Sequence, residues 1–282
     1  MSTIQQLLDY GKDKLIQSGN EYAKYDRKVL LEEVLGCNYM YMLTHGEDEV
    51  PEDREEQYRM WITRRAEHYP LQYLLGYAHF MDYTFAVNEH VLIPRNDTEI
   101  LVESANEVLT GMEEEQKVIR VLDLCCGSGC IGISLKLYHK QIELTLSDIS
   151  EDALAVTRQN LERHQVDAQV QQSDLLERIM DKYDMIVSNP PYIESRVIET
   201  LMPEVREYEP MMALDGGDNG LMFYQRIVNQ AQEYLTQHGW LFFEIGYNQG
   251  QDVATLMQEH GFCDINVIKD YAGLDRVVYG HL

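Results

Sequence analysis

The chain has 282 residues, 45% of them hydrophobic, enough for one large or two ordinary domains with real cores. Its 48 acidic residues outweigh 23 basic ones, for a formal charge of −25 at pH 7, whereas a protein that grips duplex DNA ordinarily presents a basic footprint. That balance points toward a protein or small-molecule substrate with no direct nucleic acid contact, and no apolar stretch approaches the roughly 20 residues of a membrane helix.

Residues 1–20 mix Asp9, Lys12, Asp13 and Lys14 into a helical pattern and do not read as a signal peptide. Residues 3–68 read as helices: Ile4, Leu7, Leu8, Leu15 and Ile16 keep the 3.6 period, as do Val29, Leu30, Leu31, Val34 and Leu35 before Gly36. A third helix is expected from Pro51 through Tyr58, Trp61 and Ile62 to about His68. Aromatic and β-branched alternation from Tyr77 to Val87 predicts a hairpin. Residues 97–110 read as a helix capped by Asp97 or Thr98, and Met112–Gln116, with three glutamates, as a solvated loop.

From Val118 onward strands and helices alternate. Strands are expected at Val118–Leu124, Ile142–Ser147, Gln169–Gln171, Tyr183–Ser188 and Trp240–Ile245, with helices at Gly129–Tyr138, Glu151–Arg163, Leu221–Leu235 and Gln249–His260. Two last strands, Ile265–Ile268 and Arg276–Tyr279, have no helix between them, which suggests an antiparallel edge strand. The pattern is α/β: a mostly parallel sheet with helices on both faces. The domains are read as a helical one at 1–76, a β-hairpin linker at 77–96 and the sheet domain at 97–282.

Four strand ends carry the chemistry. The first leads into Cys125-Cys126-Gly127-Ser128-Gly129 and then a helix, a turn whose glycines let the backbone approach a ligand and whose helix N-terminus favours a carboxylate or phosphate. The second ends in Asp148, 19 residues beyond Gly129, where a carboxylate suits the hydroxyls of a ribose; it could equally cap the helix at Glu151. At the third, Asp174 could accept from an adenine amino group, with Leu175 packing on the ring. The fourth leads into Asn189-Pro190-Pro191-Tyr192. Two prolines without N–H donors make a rigid turn that leaves the Asn189 side-chain oxygen and the Pro190 carbonyl as acceptors for a planar –NH2 group. Tyr192 would be a stacking wall for that group, or else a core aromatic with its hydroxyl bonded elsewhere. The five cysteines form no framework and are read as reduced thiols; the nine histidines are scattered, so no metal site is expected.

The Gly-rich loop, the acid ending the second strand and Asn189-Pro190-Pro191-Tyr192 resemble a class I S-adenosylmethionine-dependent methyltransferase with a Rossmann-like sheet. Four more segments, Pro70–Gly76, Val91–Glu99, Ala213–Leu221 and Glu244–Gly250, resemble one family, the release factor glutamine methyltransferases, with a small N-terminal helical domain for substrate recognition. The resemblance covers roughly residues 70–282. It implies a cytoplasmic, monomeric enzyme that methylates the side-chain nitrogen of the glutamine in the Gly-Gly-Gln motif of class 1 peptide chain release factors, in translation termination. The implied cofactor is S-adenosyl-L-methionine, lying against Cys125–Gly129, Asp148, Asp174, Leu175 and Asn189. Asn189, Pro190 and Tyr192 would be catalytic, Asn189 to Tyr192 would bind the glutamine, and Arg95, Thr98 and Glu99 would wall the site near the methyl donor. Cys125 and Cys126 stand where the family commonly has glycine and a small residue, so the left-handed position is expected at Gly127 or Gly129. Asn96 stands where proline is usual. An adenine-N6 DNA methyltransferase shares the amine receptor, and a non-catalytic nucleoside-binding module shares the strand-end acids.

Overall fold

The computed structural model describes residues 1–115 and 118–282. They divide into two compact units, Met1–Gly76 with Met202–Tyr208, and Tyr77–Leu201 with Glu209–Leu282. No helix among them is long and apolar enough to cross a membrane, and no group of three or more His, Cys, Asp or Glu could hold a metal ion.

In the first unit, α1 (Ile4–Gln17) starts at a capping box, in which Thr3 and Gln6 satisfy each other's backbone N–H groups. It buries Ile4, Leu7, Leu8 and Leu15 of the expected stripe, together with Gly11, but leaves Ile16 exposed. Gly11 lies so close to Tyr58 that a Cβ there would meet the phenol oxygen at 2.2 Å. α2 (Ala23–Leu35) stops at Gly36, whose φ of 65° a residue with a side chain would resist. A short α3 (Tyr39–Thr44), which hydrophobic period did not reveal, is capped by the Asn38 side chain. α4 (Glu52–Ala66) begins after Pro51 with Glu52, Asp53 and Glu55 in its first turn and Arg64 and Arg65 in its last, each sign matching the helix dipole. It ends two residues before His68, which turns left-handed at φ 64°. A further short helix, α5 (Leu71–Leu75), closes at Gly76.

Buried inside this unit, Arg65 donates from Nε to Asp26 Oδ2 at 2.7 Å and pairs through Nη1 with Glu204 at 2.8 Å. Asn20 donates to the same Asp26 oxygen. The charges thus tie α2, α4 and the 202–208 segment into one knot.

The second unit opens with the hairpin β1 (Tyr77–Phe80) and β2 (Tyr83–Ala86), paired from Tyr77–Ala86 to Phe80–Tyr83. A single 3-10 turn at Asn96–Thr98 leads into α6 (Glu99–Glu115), so Met112–Glu115 continue a helix where sequence predicts a loop; Gln116 lies outside the described residues. Neither Asp97 nor Thr98 caps: the turn has no side-chain cap, and the Thr98 hydroxyl is engaged elsewhere. There follow β3 (Arg120–Leu124), α7 (Cys130–Tyr138), β4 (Glu143–Asp148), α8 (Glu151–His164), β5 (Gln169–Gln172), β6 (Tyr183–Ser188), α9 (Ser195–Ile198), α10 (Pro203–Tyr208, within the first unit), α11 (Met222–Tyr234), β7 (Leu235–Glu244), α12 (Gly250–Glu259), β8 (Cys263–Lys269) and β9 (Asp275–His281).

The seven-stranded order is β5-β4-β3-β6-β7-β9-β8. β3, β4, β5, β6 and β7 run parallel, and the closing pair supplies the antiparallel strand, β9, which is not the expected edge strand: it lies between β7 and β8, and β8 forms the edge. Strand residues alternate between two cores. Val121, Met185, Val187 and Phe242 pack with Leu101, Ile133 and Leu154 on one face. Leu122, Ile186, Leu241 and Phe243 pack with Tyr224, Val228 and Val253 on the other. That is why these strands read as continuous apolar runs. The connection after β3 turns to β4 and β5, while β6 lies on its opposite side, so the strand order reverses at β3 and opens a crevice at the carboxyl ends.

Arg65→Ala leaves Asp26 buried without its cation, and is expected to destabilise the helical unit by about 3–5 kcal/mol, read as a fall in the urea midpoint.

Candidate functional site

A cavity of about 550 Å³ lies at that crevice, lined by residues that follow β3, β4, β5 and β6: Leu124 to Ser128, Asp148 to Ser150, Ser173 to Leu175, and Asn189 with Pro191. Its volume is that of a small-molecule site, and its walls are mostly apolar with a few convergent polar groups.

The loop after β3 is held at nearly every residue. Cys126 N–H donates to Ser147 O (3.0 Å) and Gly129 N–H to Cys126 O (2.7 Å). The Thr157 hydroxyl donates to Gly127 O at 2.7 Å, and Asn160 Nδ2 to Ser128 O at 2.9 Å. Asn160 also exchanges hydrogen bonds with the backbone of Ala86, so one α8 side chain joins the hairpin to the loop. Left-handed backbone occurs at Gly127 (φ 55°) and Gly129 (φ 78°), as expected, but also at Cys125 (φ 62°). That corrects the sequence reading: the position where glycine is common keeps its conformation with a side chain on it, at a strain of about 1–2 kcal/mol offset by the surrounding bonds. All five cysteines are free, and burial pushes the thiols of Cys125, Cys126 and Cys130 well above their ordinary range, so they stay protonated.

Asp123 closes β3 from below. Its Oδ2 accepts from Gly132 N–H at 2.8 Å, its Oδ1 has no hydrogen-bond partner among the described residues, and burial raises its carboxyl to about 7. Asp148 accepts from Gly127 N–H through Oδ2 and from Ser150 N–H through Oδ1, both at 2.9 Å. It does not cap α8; Ser150 does, accepting from Ala153 N–H. Desolvation pushes the Asp148 carboxyl up, and these backbone donors oppose it. Asp174 lines the cavity beside Leu175, with its Oδ1 taking Arg226 Nη2 at 2.9 Å.

After β6, Asn189 is half-buried and donates from Nδ2 to Thr98 Oγ1 at 3.4 Å. Asn189 and Pro191 line the cavity; Pro190 and Tyr192 are not among its lining residues, nor is Gly129. Tyr192 packs against the α11–α12 core and its hydroxyl donates to Glu244 Oε1 at 3.2 Å, the arrangement of a core aromatic with its hydroxyl bonded elsewhere. Desolvation, with the Glu244 charge next, pushes that hydroxyl's pKa up. Arg95 and Thr98 line the cavity, whereas Glu99 does not: it accepts from Met81 N–H at the hairpin turn. Arg95 pairs with the buried Glu209.

The double-proline turn offers few donors of its own, so two distant segments hold it. Ile193 N–H donates to Leu214 O and Gly216 N–H returns to Ile193 O. Gln249 Nε2 donates to Tyr192 O (3.0 Å) and Gly220 O (3.2 Å), while Gln249 Oε1 accepts from Gly246 N–H. A Cβ on Gly216 would meet Tyr192 Cα at 2.7 Å. Sequence reasoning gave the roles of Gln249, Glu244, Glu209 and Arg226 no signal, since each is set by what its helix or strand end faces. Met211 and Met212, half-exposed at the cavity, were likewise not read.

A family model described as Methyltransferase small domain matches residues 99–205, and one described as PrmC N-terminal domain matches residues 6–76. A release factor glutamine methyltransferase of Clostridium botulinum is 40% identical, over 98% of this chain and 98% of its own length. That of Geobacter sulfurreducens is 38% identical, over 99% and 97%. Among solved structures, the hMettl16 catalytic domain in complex with an RNA hairpin has a TM-score of 0.57 at 12% identity, covering 81% of each chain. The Thermus thermophilus 16S rRNA N2 G1207 methyltransferase, solved with AdoMet and guanosine, has a TM-score of 0.52 at 21% identity, covering 73% of this chain and 49% of that one. At those identities they share the fold.

Gly220 sits at φ 70°, and a Cβ there would meet Tyr192 O at 2.4 Å. Gly220→Ala is expected to cost about 2–4 kcal/mol by adding backbone strain to overpacking, measured by thermal denaturation.

Proposed function

The chain belongs to the release factor glutamine methyltransferases, and from that premise we propose that its cavity presents the glutamine of a Gly-Gly-Gln segment in a class 1 peptide chain release factor for methylation at the side-chain nitrogen. The observation that carries the reading is Asn189, held at the cavity by a bond from its own amide nitrogen, so that its amide oxygen is left to accept.

The residues fit S-adenosyl-L-methionine. Asp148 takes the backbone N–H groups of Gly127 and Ser150 on separate oxygens, and a carboxylate so engaged keeps acceptor capacity for the hydroxyls of a ribose. Gly127 has open space where a side chain would be, beside the Ser128 and Cys126 backbone. Leu175, Ile149 and Val91 offer apolar surface for a base, and Asp174 an acceptor for its amino group. When bound, the cofactor supplies a methyl group already activated on a sulfonium.

The chain's own task is then orientation. A carboxamide nitrogen is a weak nucleophile while its lone pair is delocalised into the carbonyl. Oδ1 of Asn189, which lines the cavity, accepts one of its N–H bonds, and the Pro190 carbonyl, though Pro190 is not among the lining residues, is assigned the other, which favours a geometry with the lone pair turned toward the donor. Positioning of this kind supplies much of a rate enhancement, and the proton that the nitrogen sheds as the methyl group is transferred passes to water. Pro190 and Pro191 cannot donate, so no backbone N–H of the turn competes for those acceptors.

Incubation with labelled methyl donor and either a release factor or duplex DNA tests the reading: label on the Gly-Gly-Gln glutamine supports it, whereas label on adenine or on neither substrate overturns it. Asn189→Ala is expected to lower kcat about 10²–10³-fold, with cofactor affinity changed less than about threefold. Asp148→Ala is expected to weaken cofactor binding about 10–100-fold in calorimetry, the worth of hydrogen bonds to a charged group.

A further inference from the structure

We propose that Thr157, buried in α8 and not among the residues that line the cavity, is a positioning residue that turns the Ser128 N–H toward the cavity, where it binds the carboxylate at the methionine end of the cofactor. The inference rests on the cofactor assignment above, not on the identity of the methyl acceptor. It gives a role to a residue that the assignment does not use.

Thr157 Oγ1 lies 2.7 Å from Gly127 O, 3.3 Å from Ala153 O and 3.6 Å from Cys126 Sγ. A hydroxyl has one proton to give. It goes to Gly127 O, the nearer of the two carbonyls, in preference to that of its own helix. The Thr157 oxygen is then left to accept, and the buried, protonated Cys126 thiol is the donor that reaches it. Three residues further along α8, and so on the same face, Asn160 Nδ2 donates to Ser128 O at 2.9 Å. Two consecutive carbonyls of the loop are thus drawn toward α8.

What those bonds do to the N–H groups follows from the peptide unit. It is planar, and in the trans form its C=O and N–H point in opposite directions. No peptide bond among the described residues is cis. Drawing the Gly127 carbonyl to α8 therefore turns the Ser128 N–H away from α8, and both residues line the cavity. The neighbouring N–H groups are committed: Gly127 donates to Asp148 Oδ2 and Gly129 to Cys126 O. The Ser128 N–H has no partner among the described residues. Gly127, without a side chain, leaves this peptide free to turn over, so the Thr157 bond selects its orientation. Turned over, it would present a carbonyl to the carboxylate. The positive end of α7, which starts at Cys130, favours an anion at the same place.

The test is calorimetric titration of Thr157→Val, close in shape but unable to donate, with two ligands. One is S-adenosylhomocysteine, and the other is its decarboxylated counterpart, which keeps the nucleoside, the sulfur and the amine. The expected result is a Kd for S-adenosylhomocysteine raised about 10–100-fold, the worth of a hydrogen bond to a charged group, with the Kd for the decarboxylated ligand within about threefold of the parent. Thr157→Ser, which keeps the hydroxyl, should bind both ligands within about threefold of the parent. An unchanged Kd for S-adenosylhomocysteine in Thr157→Val, an equal loss for both ligands, or a serine variant as weak as the valine one would each overturn the proposal. Should Thr157→Val fail to fold, Thr157→Ala carries the same comparison. In the parent protein the Ser128 amide proton resonance is expected to move downfield with S-adenosylhomocysteine and not with the decarboxylated ligand; equal movement with both refutes the contact. A parent protein that bound neither ligand would sink the proposal together with the cofactor site, whereas a release factor left unmethylated would count against the substrate reading alone.

Discussion

The parallel pairing of β3 with both β4 and β6 is the constraint on which the site depends. Leu124 is in register with Ser147 on one side and Ser188 on the other, so the loops that follow these strands leave the sheet at one level. The Ser188 hydroxyl donates to Leu124 O across that level at 2.7 Å. With strand ends aligned in this way, Cys125–Ser128, Asp148 and Asn189 reach one cavity although up to 64 residues separate them in the chain. A slip of one residue in either pairing would turn every side chain to the other core and take the aligned ends apart.

The centre of the sheet was legible because its strands there are buried on both faces. Continuous apolar runs bounded by glycine, aspartate or proline located β3, β4 and β6 to within about two residues. The strand-end acids and the double-proline turn were legible for a related reason: each breaks an apolar run at a point where the chain must leave the sheet. What did not show was short or depended on distant partners. α3 and α5 are too brief to display a period, and α9 and α10 fall in a stretch of mixed polarity. The extension of α6 through Glu115 puts three glutamates in a helix, and composition alone made that stretch look like a loop.

Within the site, the sequence named residues but not which of them face the cavity. Tyr192 stands next to lining residues in the chain, yet its ring is turned to the α11–α12 core by the hydroxyl's bond to Glu244. Glu99 likewise turns to Met81. Cys125 shows the same limit for the backbone: a side chain at a left-handed position looks improbable by local sterics, and only the bonds that hold its neighbours make it tolerable. Local preference decides a conformation where little else bears on it. Here hydrogen bonds from β4 and α8 bear on Cys126, Gly127 and Ser128, the residues that follow Cys125.

The make-up of the helical unit has a consequence for how the protein can be divided and built. Its charged knot draws Glu204 from a point more than a hundred residues beyond the rest of the unit. A ribosome making this chain from its start would release α1 to α5 with Arg65 lacking one of its two carboxylates, and that gap would persist until the sheet's first four parallel strands had emerged. Cutting the gene after Gly76 would freeze that unfinished state. The unit that comes first in the chain is therefore left incomplete until Glu204 has been made.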